Sequence, residues 1–149
     1  MKSILPISVA ALALFASSCR KEIVIPVQPL QGSWILVQAS QNDGGNWQPF
    51  YTGLESGVFY FYSNGSAAYD DGHLTLNGNW FTGTSSAGYY DENGNYYTDL
   101  HQTLEVHLRD YYSNSSVNMV FDDIKLYGDH LVANNYNNGV VERYDFSRY

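Results

Sequence analysis

Apolar and polar residues alternate one by one in several stretches after residue 30, the pattern of β-strands that bury a single face. The alternation is clearest in the strand predicted over 96–109, where every second residue from Leu100 to Leu108 shares one side. The opposite side, which we expect to be exposed, carries His101, Thr103, Glu105 and His107. No stretch repeats apolar residues with the 3.6-residue period of a helix, so we predict little or no helix in this part.

Clusters of Gly, Asn and Asp interrupt this pattern and mark tight turns. Asn64-Gly65 is the strongest of these hairpin signals, because both turn positions favour a positive φ. "DENGN" at 91–95 has the first ligand spacing of a calcium loop but lacks its later Gly and Glu, so we interpret it as a turn. The predicted strands are 33–40, 57–63, 66–70, 73–82, 84–90, 96–109, 117–127, 130–136 and 140–149.

Short links between successive strands predict an all-β, up-and-down antiparallel meander. A meander of about eight strands closes most simply into a barrel, because closure removes the exposed edges. The chain has 149 residues, enough for one domain, and its 44% hydrophobic content is too high for a disordered protein. The formal net charge of −8 argues against nucleic acid and anionic lipid as partners, since both require a basic surface.

The chain begins with a targeting pattern that precedes the domain. Lys2 is followed by an apolar stretch over 4–15, which is too short to span a bilayer, and then by small residues before Cys19, the only cysteine. "LFASSC" at 14–19 resembles the lipobox of bacterial lipoprotein signal peptides, although Ala16 stands where such a box usually has Leu. The resemblance implies a signal peptide over 1–18, cleavage before Cys19, and acyl chains on that residue.

Several acyl chains on Cys19 would hold the protein firmly to a membrane, since each buried CH₂ contributes roughly 0.8 kcal/mol. Pro26 and Pro29 disfavour helix and central strand, so residues 19–31 are interpreted as the lipidated N-terminus and an extended tether. Arg20 stands where Asp would resemble an inner-membrane retention signal. The resemblance therefore implies a protein of the cell envelope, attached to the outer membrane.

Gly32-Ser33-Trp34 opens the first predicted strand, and Arg148 lies in the last one. This combination resembles lipocalins and the wider calycin group, in which the Trp closes one barrel end and an Arg from the last strand lies across it. A cation over an indole contributes about 0.5–2 kcal/mol. The resemblance covers 32–149 and implies a lipocalin-like barrel, but this sequence has no disulfide and no predicted C-terminal helix, which leaves the family's ligand-binding habit open.

A membrane-spanning barrel does not fit the last predicted strand. Such a strand keeps apolar residues toward lipid on the face of its terminal aromatic residue. Here the face of Tyr149 also carries Arg143, Asp145 and Ser147, which would be costly in lipid. We therefore expect a soluble domain that contacts the membrane through the lipid on Cys19, and we expect it to be a monomer.

The sequence offers little for catalysis or metal binding. His101 and His107 share a strand face with Glu105, but six residues of strand span about 20 Å, which one metal ion cannot bridge. In Asp70-Asp71 and in Asp122-Asp123, the two neighbouring carboxylates point to opposite faces of a strand and do not converge. We therefore interpret them as turn caps or surface residues. Because nucleophile and phosphate-loop motifs are also absent, we expect no enzyme, no metal and no cofactor.

The aromatic residues supply the candidates for binding. Two hypotheses stay open: a barrel that holds a small apolar or amphipathic ligand near the mouth opposite Trp34, or a filled barrel that binds protein or glycan through its loops, as an envelope protease inhibitor would. An unfilled interior would favour the first hypothesis and a filled one the second. The candidate contact residues are Trp47, Phe50, Tyr51, Phe59, Phe61, Trp80, Tyr144 and Phe146.

Overall fold

The computed structural model describes residues 30–91 and 93–149. The predicted signal peptide, Cys19 and the tether up to residue 29 lie outside the described residues. The described part is all-β, as predicted, and no helix in it is long and apolar enough to cross a membrane. Its strands are β1 (Gly32–Asn42), β2 (Gln48–Phe50), β3 (Val58–Phe61), β4 (Ser66–Asp70), β5 (Thr75–Ser85), β6 (Tyr89–Tyr90), β7 (Tyr96–Tyr97), β8 (His101–Arg109), β9 (Ser116–Phe121), β10 (Asp123–Tyr127), β11 (His130–Asn137) and β12 (Val140–Arg148).

Ten strands form one antiparallel sheet in the order β10-β11-β12-β1-β3-β4-β5-β8-β9, with β2 paired to the second half of β1. Neighbours in the sheet are mostly neighbours in the chain, so the predicted meander is confirmed. β1 pairs with β12 from Trp34↔Arg148 to Asn42↔Val141, which makes the first and last strands adjacent. At about 3.4 Å per residue, these two ends of the β1–β12 ladder lie about 27 Å apart.

The predicted closure into a barrel is not found. β9 and β10 stand at the two ends of the strand order, and the described residues form no pairing between them. Only Asp122 separates these strands, and a hairpin requires a loop of about two residues or more. The chain therefore cannot fold back there; instead it passes from one end of the sheet to the other, where β10 lies close to β8.

The predicted number of about eight strands is also wrong, because long predicted strands are broken and short ones were missed. The predicted strand 96–109 is interrupted at 98–100, so that β7 and β8 are separate. The predicted strand 117–127 is broken at Asp122, whose backbone N–H donates to the Asn134 carbonyl at 2.8 Å. The strand prediction also treated the three residues of β2 as loop.

A small hairpin, β6–β7, covers the seam where the sheet fails to close. The ring of Tyr89 lies 4.0 Å from that of His101 on β8, and the ring of Tyr90 stacks 4.4 Å from that of Tyr136 on β11. The hairpin therefore contacts both sides of the seam. His101 is only 6% exposed beneath it, so the prediction of an exposed polar face is wrong at this residue. Glu105 and His107, beyond the hairpin, are exposed as predicted.

The core fills the concave side of the sheet. Leu104, Val106 and Leu108 of β8 point into it, as the alternation predicts, whereas Leu100 precedes the strand and is exposed. Gly78 lets β5 and β8 approach closely, because a side-chain carbon at this position would overlap the backbone carbonyl oxygen of His107. The described residues thus form one packed core beneath a wrapped but unclosed sheet.

Candidate functional site

One end of the sheet is sealed by residues that the sequence singles out. The guanidinium carbon of Arg148 lies 4.5 Å from the centroid of the Trp34 ring, and Trp34 is fully buried. The indole N–H donates to the Leu30 carbonyl at 2.8 Å, and Arg148 Nη1 donates to the Gln31 carbonyl at 2.9 Å. Gly32 has a φ of 130° and leaves room for the arginine. This end of the sheet is built for stability.

Six of the eight candidate contact residues belong to one continuous run of aromatic rings. Centroid separations between successive rings lie between 5.1 and 6.4 Å. The run connects, in order, Trp80, Phe61, Phe59, Phe146, Phe121, Tyr144 and Phe50. Tyr69 packs against Phe59 at 4.8 Å. Rings at these separations touch one another, so these side chains fill the concave side of the sheet.

The burial of this aromatic run agrees with a packing role. Phe59, Phe61 and Phe146 are at most 3% exposed. Tyr144 is partly buried, and its hydroxyl donates to a Glu142 carboxylate oxygen at 3.0 Å. Burial, followed by the Glu142 carboxylate, raises the pKa of Tyr144, so the phenol stays protonated.

The other two candidate residues lie on the segment around β2. Trp47 is partly buried just before the strand, and Tyr51 is 78% exposed just after it. A turn after Tyr51 is fixed by Glu55, whose Oε1 accepts from the Thr52 backbone N–H at 2.8 Å. The structure brings neither Trp47 nor Tyr51 into the aromatic run.

A cleft of about 390 Å³ opens at the end of the β1–β12 ladder that is distant from Trp34. Three segments line it: the loop after β1, the β6–β7 hairpin, and the β11–β12 hairpin. The lining residues are Asn42, Gly44, Gly45, Tyr90, Asn93, Gly94, Tyr136, Gly139 and Val141. None of them carries a carboxylate or a basic group. Its volume lies within the range of about 300–1,000 Å³ that is typical of ligand sites.

Two tyrosines form the aromatic wall of the cleft. The rings of Tyr90 and Tyr136 are stacked with an interplanar angle of 28°, and Tyr136 is 43% exposed. The neighbouring Tyr136 phenol, followed by burial, raises the pKa of Tyr90. The wall therefore presents an accessible ring face together with hydroxyl groups.

Asparagine side chains line the cleft beside the tyrosines. Asn42 Oδ1 accepts from the Gly44 backbone N–H at 2.9 Å, which fixes the first loop. Its Nδ2 lies 4.0 Å from the position that a side-chain carbon of Gly94 would take, and so faces the β6–β7 hairpin. Asn93 lies at the exposed tip of that hairpin. Side-chain amides supply both donors and acceptors, which suits a ligand with hydroxyl groups.

Asp91 shapes the hairpin that carries Tyr90 and Asn93. Its Oδ1 accepts the backbone N–H groups of Asn93 at 2.9 Å and of Asn95 at 2.8 Å, so the predicted turn at 91–95 is confirmed. Burial would raise the pKa of Asp91, but these hydrogen bonds outweigh that effect and hold the pKa below its ordinary value. The ionised carboxylate thus organises one wall of the cleft from beneath.

Four of the five buried polar residues in the described part lie in or near the hairpin: Asp91 in its turn, His101 against Tyr89, and the hydrogen-bonded pair Asp123 and Asn134. Asn134 Nδ2 donates to Asp123 Oδ2 at 3.3 Å, and Lys125 Nζ lies 3.9 Å from the same oxygen. Burial, followed by the carboxylates of Asp99 and Asp123, raises the pKa of Tyr89. These buried polar residues thus lie on the hairpin and on both sides of the seam.

The remaining histidine candidate lies on the outer surface. His107 hydrogen-bonds through Nδ1 to Asn118 at 3.1 Å and through Nε2 to Glu105 at 3.3 Å. These two partners raise the pKa of His107. His101 is separated from His107 and Glu105 because it lies under the β6–β7 hairpin. Within the described ranges, no three His, Cys, Asp or Glu side chains lie close enough to hold a metal ion.

Comparison with protein-family models, with curated proteins and with solved structures found no match to this chain. The class of protein that the geometry defines is therefore an all-β, antiparallel meander domain with a polar, aromatic cleft at one end. Its function has to be argued from its own residues.

Sequence reasoning did not identify the residues of the cleft. It interpreted the clusters at 42–46, 91–95 and 137–139 only as turns. A signal was nevertheless available, since the last two clusters directly follow Tyr90 and Tyr136. A tyrosine beside an Asn- and Gly-rich turn carries the residue types that dominate adaptable binding loops. Which turns meet in space could not be deduced from the pattern.

Proposed function

We propose that this protein is a lipid-anchored lipoprotein of the cell envelope, attached to the outer membrane through Cys19. Its lipocalin-like domain acts as a binding module with a filled interior, and its partner binds to the loops. The observation that carries this proposal is the continuous run of aromatic rings from Trp80 to Phe50. These rings contact each other where an internal ligand would have to lie.

The loops support the second half of the proposal. The cleft is open, and it is assembled from three separate turns that are held by a rigid sheet. Binding residues are commonly carried on loops in this arrangement, because the scaffold fixes their positions. The Trp34 end is closed by Arg148 and Leu30, so it offers less access.

The interior is tested with an apolar probe. We expect the full-length protein to show no saturable binding of cis-parinaric acid at micromolar concentration. Phe59→Ala, which removes a fully buried ring, opens space only for a benzene-sized molecule, so binding of benzene by this variant serves as the control that a cavity in this interior can be detected. Stoichiometric binding of the probe by the unaltered protein, with quenching of tryptophan fluorescence, would instead support a carrier of small apolar molecules.

The anchor is tested by fractionation. We expect the unaltered protein to be recovered with outer membranes and Cys19→Ser to be released from them. Thr98→Ser, a conservative change at an exposed position of the domain, is the matched control. Recovery of Cys19→Ser with the membranes would contradict attachment through this residue.

A further inference from the structure

We propose that the cleft between Asn42, Asn93 and Tyr136 is a binding site for a neutral saccharide. This inference rests on the proposed binding through loops and adds the site and the class of ligand. Three properties of the lining support it: the absence of charge among the described lining residues, a partly exposed tyrosine ring, and side-chain amide groups.

The uncharged lining first excludes charged classes of ligand. A phosphate or carboxylate ligand would call for Arg or Lys, and an organic cation or metal ion would call for carboxylates. The lining residues that the structure describes provide neither. Asp91 does not supply a carboxylate to a ligand in the cleft, because it is only 4% exposed and its Oδ1 accepts hydrogen bonds from the hairpin N–H groups. The ligand that fits is uncharged.

The presence of both aromatic rings and amide groups in the lining also argues against a purely apolar ligand. An apolar molecule would leave the amides of Asn42 and Asn93 unpaired, which costs free energy when they are covered. A pyranose ring has one face of C–H groups that packs on an aromatic ring, and its rim of hydroxyl groups exchanges hydrogen bonds with amides and phenols. Tyr136, which is 43% exposed, supplies the aromatic surface, and Tyr90 stacks against one of its faces.

The glycines in the lining make room for this contact. A side-chain carbon at Gly44 or Gly139 would meet no atom within 4 Å, so these positions border open space. Both have positive φ values and are glycine for conformational reasons. Gly45 has no such φ and its side-chain position is open apart from Asp43 Oδ1 at 3.6 Å, so a larger residue can be introduced there without backbone strain.

The experiment measures saccharide binding by the protein produced from the full-length chain. It is kept in a polyoxyethylene detergent, because detergents with sugar head groups would compete. The probes are neutral hexasaccharides of defined linkage: maltohexaose, cellohexaose, laminarihexaose, xylohexaose, mannohexaose and hexa-N-acetylchitohexaose. Binding is followed by saturation-transfer NMR and quantified by calorimetry.

We expect at least one probe to bind and Tyr136→Ala to weaken it roughly tenfold or more, the loss typical of a central aromatic contact. Tyr136→Phe keeps the ring and should bind within a few fold of the unaltered protein. Gly45→Leu should abolish binding by filling the cleft, which keeps the test valid if Tyr136→Ala fails to fold. Tyr127→Ala is the matched control, since Tyr127 is 55% exposed and lies outside the cleft.

Two outcomes would overturn the saccharide site. Either no probe binds, or a probe binds Gly45→Leu and Tyr136→Ala as tightly as it binds the unaltered protein. Neither outcome affects the proposed function, which fails instead if cis-parinaric acid occupies the interior. The two proposals are therefore separated by the class of probe that binds.

Discussion

Trp34 and Arg148 are direct partners in the β1–β12 ladder, and the arginine guanidinium covers the face of the indole at 4.5 Å. Cross-strand partners point to the same side of a sheet, so the pairing of backbones fixes the pairing of side chains. Arg148 also donates to the Gln31 carbonyl, and its Nε lies 3.5 Å from Asp129 Oδ1. One side chain thus connects the start of β1, the end of β12 and the β10–β11 turn.

We expect Arg148→Ala to lower the free energy of unfolding by about 1–2 kcal/mol, from the lost cation–π contact and hydrogen bond. Removal of the arginine also admits water to Trp34 and should shift its fluorescence emission to the red. Urea unfolding and emission spectra measure both effects. Arg109→Ala is the control, because Arg109 is exposed and donates to Asn114 in a surface loop. Unchanged stability and emission in Arg148→Ala would show that the contact does not form.

The aromatic run makes a prediction about the core. Phe59 touches Phe61, Tyr69 and Phe146, so Phe59→Ala should lower the free energy of unfolding by about 3–5 kcal/mol. Phe81→Ala, at a side chain that is 56% exposed, should change it by no more than about 0.5 kcal/mol. Chemical denaturation of both variants provides the comparison, and similar small losses in both would argue against a filled interior.

Two glycines on β5 give a matched pair. Gly78→Ala would place a carbon against the His107 carbonyl of the neighbouring strand, so it should lower the free energy of unfolding by about 1–3 kcal/mol or more. Gly83→Ala meets only the Thr103 hydroxyl at 3.0 Å, which a side-chain rotation relieves. Thermal unfolding should therefore separate the two variants clearly. Equal midpoints of thermal unfolding in the two variants would mean that β5 and β8 do not approach closely at Gly78.

The ionisation of Asp91 should make the free energy of unfolding depend on pH. Its pKa is lowered in the folded protein, so the stability that its ionisation contributes is fully present above the ordinary aspartate pKa of about 3.9. That contribution is lost as the pH falls through the lower folded pKa. The difference in stability between the unaltered protein and Asp91→Asn should therefore be largest near neutral pH and shrink below about pH 4. Denaturation at several pH values tests this, with Asp43→Asn as a control in an exposed loop; a constant difference would contradict it.

Alternation in the sequence predicted most of the strands, whereas the Trp34–Arg148 contact was implied by the resemblance to lipocalins and not by a local pattern. The break at Asp122 was missed although the sequence contains a sign of it. Inward positions are Met119 and Phe121 before the break and Ile124 after it, so the alternation changes phase. The burial of His101 could not be predicted, since it depends on a hairpin that folds over a distant part of the sheet.

The adjacency of β1 and β12 has a consequence for how the protein is made. Arg148 and Gln31 are separated by 117 positions in the chain, so one edge of β1 stays open until β12 has been synthesised. A chain that is cut short before β12 exposes Trp34 and an unpaired strand, which invite proteolysis and aggregation. The fold thus distinguishes chains that contain β12 from chains that lack it.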